Sequence, residues 1–285
     1  MGDWVPFFTI AWPSTYAYYF FIIGISAALF FISGLSYFRE EFKSLRSSSF
    51  LLSFVLLVVG GLLLIADLSQ PGRFLNMINP GYWNMTSPLT WGAILLILFG
   101  GVSVVYYLTM QKGDESFGKT LAVVGSLIAL GLPIYTGFDL SVHQHRAVWN
   151  SPLMSVLAVS LSLVSGAAVA SFLAKGEAKL LASLRSIMFA TTGATAVMLL
   201  ALMVTTAYGG SASELTYMFM TSGSMGTVFV GLGVIIGTIV PLLVLALPVG
   251  KQATGMMLAS VLLLVGGVAL RYAILVGPQI VHTYY

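Results

Sequence analysis

Two acid–base phrases recur in this chain. The first is Asp67-Leu68-Ser69, followed by Arg73, Trp83-Asn84 and Ser87-Pro88-Leu89. The second is Asp139-Leu140-Ser141, followed by Arg146 and Trp149-Asn150-Ser151-Pro152-Leu153. Each phrase joins the end of one long apolar run to the start of the next, in a protein with only 7% charged residues. Ionisable groups at membrane depth are costly and point to function. The chemistry they suit is proton exchange, or orientation of a ligand, by a carboxylate at the rim of a pocket. A structural reading stands beside it. Asp67 and Asp139 each close a helix, where a carboxylate opposes the helix dipole by about 0.3–1 kcal/mol. Arg73 and Arg146 are the nearest compensating bases, so two ion pairs pinning loops to helix ends would also account for the pattern.

The elements that carry these residues follow from composition. The 285 residues are 58% hydrophobic with a mean hydropathy of +0.99, whereas a soluble domain is about a quarter charged. Eight apolar runs approach the roughly 20 residues a helix needs to cross a bilayer: Tyr16–Phe38, Phe50–Ala66, Leu89–Gln111, Leu121–Phe138, Pro152–Ala174, Ile187–Tyr208, Ser224–Leu247 and Ala253–Val276. They are continuous rather than alternating, which favours helices over a β-barrel. The expected fold is a single all-α polytopic membrane domain over 1–285, with eight transmembrane helices in two four-helix bundles. The start, Met1-Gly2-Asp3-Trp4, has no basic run, so no cleaved signal peptide is expected.

Positive charge sets the expected orientation. Arg39, Lys43, Arg46, Lys112, Lys119, Lys175, Lys179, Arg185 and Lys251 are nine of the twelve Lys and Arg, and they fall in the odd-numbered connections. The positive-inside rule puts these in the cytoplasm and both termini outside. The net charge of +3 needs no nucleic-acid partner. The other face then carries Asp3, Asp67, Arg73, Asp139, His143, His145, Arg146, Glu214, Arg271 and His282. The long connection from Leu68 to Pro88 is too aromatic for disorder and is expected to pack on the helix ends or on a partner. His143 and His145 read as exposed loop residues or partner contacts.

Other features narrow the function. There is no cysteine, so neither a disulfide nor a cysteine-ligated iron–sulfur cluster can be built from these residues. The histidines sit in a loop and the tail, which does not suit a bis-histidine haem. No phosphate-cradling loop is present and no metal site is expected. Paired glycines inside helices (Gly60-Gly61, Gly100-Gly101, Gly231-x-Gly233, Gly266-Gly267) suggest close helix packing. Pro133 breaks a hydrogen bond inside the fourth helix, two residues before Tyr135. Tyr16, Tyr18, Tyr19, Tyr106, Tyr107 and Tyr208 read mainly as interfacial belt tyrosines. Arg271 reads as a snorkelling side chain.

Several of these stretches are similar to a known family. Asp67-Leu68-Ser69-Gln70-Pro71-Gly72-Arg73-Phe74 resembles the "DLGRPERF" signature of the NrfD/PsrC-type, or polysulfide-reductase membrane-subunit, family. Ser87-Pro88-Leu89-Thr90-Trp91-Gly92-Ala93 resembles its "SPMSWGA". Tyr135-Thr136-Gly137 with Trp149-Asn150-Ser151-Pro152-Leu153 is similar to "YTG…WNSPLLP", and Leu270 to Gln279 to "LRYVIVVGGQ". The first helix, from Tyr19 to Ala28, and Ser165-Gly166-Ala167-Ala168 match as well.

The resemblance implies an eight-helix subunit of the plasma (inner) membrane that holds no redox cofactor of its own and binds a quinone of the menaquinone or another type near the outer face. It implies a docked iron–sulfur subunit, paired with a molybdopterin catalytic subunit, in a sulfur-compound or related reductase. The aromatic loops around Trp83 and Trp149 would be the docking surface. Carried over by position, Tyr135 is the tyrosine at the quinone head, Asp67 and Arg73 are the acid and base beside it, and Tyr19 is the first-helix tyrosine. Asp139 and Arg146, the second phrase, complete the expected quinone-binding set, with Asp67 and Tyr135 the catalytic pair. The sequence departs from the family at Ala28, where a glycine is usual, and at Gln70-Pro71-Gly72-Arg73, which lacks one acid and one base. The fifth helix has no charge, and scalar chemistry at the outer side is the expectation. A polytopic transporter or a purely structural anchor are the alternatives.

Overall fold

The structure, a computed structural model, describes residues 12–68, 70–174 and 176–280. Asp3 and His282, both assigned above to the outer face, lie outside the described residues, as do Ser69 of the first phrase and Lys175 of the cytoplasmic set. Eight helical segments are long and apolar enough to cross a bilayer, and no strand occurs among the described residues. Helices suit that setting because their backbone polar groups are satisfied within the segment.

Helix α1 is Thr15–Leu35. A 3-10 turn, Glu40–Leu45, leads into α2, Arg46–Ala66. Helices α3 (Pro88–Lys112) and α4 (Glu115–Ser141) follow, then α5 (Leu153–Leu173) and α6 (Ala178–Ala207). A short helix, α7 (Ser211–Thr221), precedes the seventh span. That span has three parts: α8 (Gly223–Gly226), a π-helical stretch over Thr227–Ile239, and α9 (Val240–Ala246). Helix α10 is Ala253–Ile280.

Local chemistry sets the ends. Helix α3 opens on Pro88 and closes on Gly113, whose φ of 70° is the left-handed conformation that favours glycine. Asp114 then caps α4, its carboxylate accepting from the Phe117 amide at 3.0 Å. Helix α4 therefore starts at Glu115 rather than at Leu121, and α6 starts at Ala178 rather than at Ile187. Polar first turns prolong these helices beyond the apolar run. Pro133 lies within α4, which continues past it to Ser141.

Helix α1 sits at the centre. In its membrane span 72% of residues are buried, against 28% in α2, α3 and α6. It packs against α2, α4, α5 and α10, while α5 also packs against α4, α6 and α10. By contrast, α2 and α3 barely touch, although they are consecutive spans. The loop between them and their own side chains leave a gap.

The paired-glycine expectation holds in part. Cβ atoms placed on Gly237 and Gly266 would collide with each other's backbone, so the π-helical stretch and α10 meet backbone to backbone. Around Gly61, Gly100 and Gly101 there is open space, so those glycines do not mediate packing.

The snorkelling expectation for Arg271 is overturned. Its side chain is buried, with Nη1 donating to the Gly267 carbonyl at 3.1 Å and Nη2 to Ser162 Oγ at 3.2 Å. The belt reading fits the exposed Tyr18 and Tyr208. It does not fit Tyr106, which is buried and hydrogen-bonded to Ser33 at 3.0 Å.

Candidate functional site

The N-terminal end of α1, the C-terminal end of α2, the start of α3 and the end of α4 meet under the loop from Leu68 to Ser87. That loop is folded by its own hydrogen bonds. Asn79 Oδ1 accepts from the Gly81 amide at 3.0 Å, and the Trp83 indole donates to the Met77 carbonyl at 2.8 Å. Asn84 Oδ1 accepts from the Thr86 amide at 3.1 Å. The expectation of an ordered aromatic loop packed on the helix ends agrees with this arrangement.

Beneath it is a cavity of about 300 Å³, within the size range of small-molecule sites. Tyr16 of α1, Leu64 of α2, Thr90 and Ala93 of α3 and Tyr135 of α4 form its walls, and Asn76, Met77, Tyr82 and Trp83 of the loop cover it. It shares Leu64, Met77 and Ala93 with a second cavity of about 400 Å³. This second cavity fills the gap between α2 and α3, and its walls run from Phe74 and Ile78 past Leu57 and Leu96 to Phe54 and Val104 with no polar side chain. A polar-mouthed chamber thus continues into an apolar groove along the membrane-spanning helices.

The Tyr135 ring lies against α3 at Gly92. A Cβ there would overlap Cζ of the ring and stand 2.5 Å from Cε1 and Cε2, so only glycine leaves the ring its place. Asp67 joins α2 to α1, its Oδ1 accepting from Thr15 Oγ1 at 3.1 Å, and Tyr16 lies close enough to interact with it. Tyr19 and Asp139 are buried behind Tyr135. The Tyr19 hydroxyl and Asp139 Oδ2 have no hydrogen-bond partner among the described residues. Buried polar atoms are paired in more than about nine cases in ten, so two orphans in one cluster mark a place with unused hydrogen-bonding capacity. Tyr16, Tyr19, Tyr135 and Asp139 are neighbours at this end of the bundle.

Of the six expected residues only Tyr135 lines the cavity; Asp67, Tyr19 and Asp139 lie near it at the same end of the bundle, and the two arginines do not join them. Arg73 is exposed on the loop, and Arg146 donates from Nη1 to the Pro278 carbonyl at 2.8 Å, tying the loop before α5 to the end of α10. Burial holds the Arg146 guanidinium below its usual value. Among the described residues neither Asp67–Arg73 nor Asp139–Arg146 is an ion pair, which removes the ion-pair reading of the two phrases.

The Trp149 side chain itself faces inward rather than toward a partner. Trp149 is 1% exposed, its indole donating to the Ile274 carbonyl at 2.6 Å. His143 is half-buried and packs edge-on to Trp12 and Trp149, at 5.6 and 5.5 Å between ring centroids, while His145 is exposed.

Sequence reasoning missed Tyr16, Asn76 and Thr90 in the wall and Gly92 behind Tyr135. Tyr16 shares the inward face of α1 with Tyr19 and Phe20, while Tyr18 points outward, as helical periodicity requires. That spacing was the available signal.

These features define an all-helical, multi-pass membrane protein with a two-part cavity at one end of its bundle. The chain belongs to the family described as polysulphide reductase, NrfD, whose pattern matches residues 5–282. It is 27% identical to a polysulfide reductase chain of Wolinella succinogenes, over 95% of both proteins. It is 32% identical to a tetrathionate reductase subunit of Salmonella typhimurium over half of its own length, a match spanning 43% of that protein. Protein NrfD of Escherichia coli is 26% identical, over 58% of the present sequence and 59% of that protein.

Proposed function

We propose that this chain is the membrane subunit of a reductase complex and that its two-part cavity takes a membrane quinone, head beneath the loop and isoprenoid tail between α2 and α3. The observation that carries this reading is the continuity of the Tyr135 chamber with an apolar groove at Leu64, Met77 and Ala93. A polar ring on a long hydrocarbon tail needs that combination. The protein's own residues fit such a group, because the cluster offers hydroxyls on Tyr16, Tyr19 and Tyr135 and an unpaired buried carboxyl oxygen on Asp139.

A bound quinone supplies two-electron, two-proton redox chemistry. Tyr135 would hold such a ring by a hydrogen bond from its hydroxyl to a ring oxygen. Asp139 and Tyr19 hold protons behind it, and Asp67, half-exposed at the rim, exchanges them with water. Arg73 adds positive charge on the covering loop, and Arg146 fixes the loop before α5. The sequence has no cysteine. A docked iron–sulfur subunit would exchange the electrons and serve a molybdopterin subunit acting on a sulfur compound or a related substrate. The charge bias supports an orientation with the site, the docked subunits and both termini on the outer side of the plasma membrane.

The test is quinone content and inhibitor titration of the purified protein, wild type against Tyr135→Phe and Asp67→Asn. Loss of one charge-responsive hydrogen bond is expected to weaken binding roughly tenfold in Tyr135→Phe with the fold intact. A wild-type protein that retains no quinone and binds no quinol-site inhibitor overturns the reading.

A further inference from the structure

On the other side of α4 from Tyr135 is a small cavity of about 40 Å³, walled by Thr136 and Gly137 of α4, Leu157 and Ala158 of α5, and Arg271 of α10. The arginine is 7% exposed. Its surroundings are shaped for the guanidinium. A Cβ on Gly24 would stand 3.1 Å from Nη2 and closer still to Ser162 Oγ, which accepts from Nη2, so this glycine leaves the bonded pair room. The Phe21 ring lies 5.4 Å away.

A guanidinium carries five N–H donors, and two bonds are made here, to Gly267 O and Ser162 Oγ. Ser162 itself donates to the Ala158 carbonyl at 2.7 Å, and Thr136 to the Pro133 carbonyl at 2.9 Å, so both hydroxyl protons are committed. No carboxylate among the described residues pairs with Arg271. A cation buried in the membrane-spanning region without a counter-charge is unfavourable. Water alone would solvate it, but most of the wall is apolar, and water needs two to four polar partners.

We propose that the cavity beside Arg271 binds a monovalent anion of halide size, held by the free N–H donors of the guanidinium. One water needs roughly 10–15 Å³ of such space, so the cavity has room for one small ion with a water or two beside it. The apolar wall favours weakly hydrated ions, bromide above fluoride. The site does not rest on the quinone reading, because it shares no wall residue with the Tyr135 chamber.

The experiment is thermal unfolding of the full-length protein in detergent, prepared in sodium gluconate and titrated with sodium bromide or sodium fluoride at constant ionic strength. A saturable rise in unfolding temperature is expected with bromide and a much smaller one with fluoride. Ala158→Met fills the cavity while keeping Arg271 in the chain and is expected to weaken the bromide response roughly tenfold or more. Arg271→Gln is expected to abolish it. Crystals soaked in bromide are expected to give one anomalous peak at the cavity. Equal unfolding temperatures in all three salts, an undiminished response in Ala158→Met, or an anomalous map with no peak there overturns the proposal.

Discussion

Replacing Gly92 by alanine tests the geometry around Tyr135 most directly. The added methyl would overlap the Tyr135 ring, and the ring is 5% exposed with α4 behind it. Either the ring or α3 must move. Overpacking a filled site costs about 1–3 kcal/mol. Alanine also returns about 0.5–1 kcal/mol of helix preference over glycine, which must be separated from the steric term. Gly100→Ala provides that separation: it lies on the same helix, and a Cβ there meets nothing within 4 Å. The preference is common to both variants and cancels, so Gly92→Ala is expected to fall below Gly100→Ala by the overpacking term alone. If Tyr135 also donates to a bound ring, its displacement loses a hydrogen bond of about 1–1.5 kcal/mol, or roughly tenfold in affinity. Thermal unfolding and inhibitor titration of both variants read the two effects. Identical stability and affinity in Gly92→Ala and Gly100→Ala would refute the placement of Tyr135 and the role drawn from it.

Three further outcomes are expected. Trp149→Phe removes the indole donor to Ile274 O at 2.6 Å and should cost about 1–3 kcal/mol through the unsatisfied buried carbonyl, read by thermal unfolding; no change would mean that the contact is not formed. Gly237→Leu sets a side chain against the Gly266 backbone and should cost about 3 kcal/mol or more, whereas Gly231→Ala, with only a Thr227 methyl at 4.0 Å, should behave as wild type in yield of folded protein. Partial burial and the neighbouring Arg146 and His143 hold the His145 imidazole below its ordinary value of 6.5. The unfolded state then binds the proton more readily, so stability should rise as pH climbs through the window just below 6.5; His145→Gln should flatten that rise, and an unchanged pH profile would contradict it.

Much of the fold was legible because a bilayer makes hydropathy nearly sufficient. Each of the eight spans stands out as an apolar run, and a run of that length has few alternatives to a helix. What hydropathy could not see were polar first turns such as Glu115 to Thr120, which continue a helix without being apolar. Side-chain direction was the larger gap. Arg271 sits near the end of an apolar run, where snorkelling is the usual outcome, yet Gly24 on a helix distant in sequence makes an inward pocket for it. Trp149 looked like a docking residue because it lies in a loop; its partner, Ile274 O, is 125 positions away. The Asp–Arg pairing inferred from nearness in sequence failed for the same reason, since Arg146 reaches across to Pro278. Where periodicity alone decides, as for Tyr16, Tyr18 and Tyr19 on α1, the inward and outward residues could have been sorted in advance.

The central place of α1 bears on how the protein is made. This helix reaches the bilayer ahead of the other seven described spans, yet it meets α10 only when the eighth of them emerges. The backbone of Trp12, just ahead of α1, exchanges hydrogen bonds with the Gln279 side chain, at 2.9 and 3.0 Å. Until then, the face that α10 will cover is open to lipid or to an insertion chaperone, with Gly24 part of the shallow surface waiting for Arg271. Assembly of the interior is thus tied to the arrival of α10, and chains stopped before it should be degraded rather than accumulate as a stable seven-span fragment.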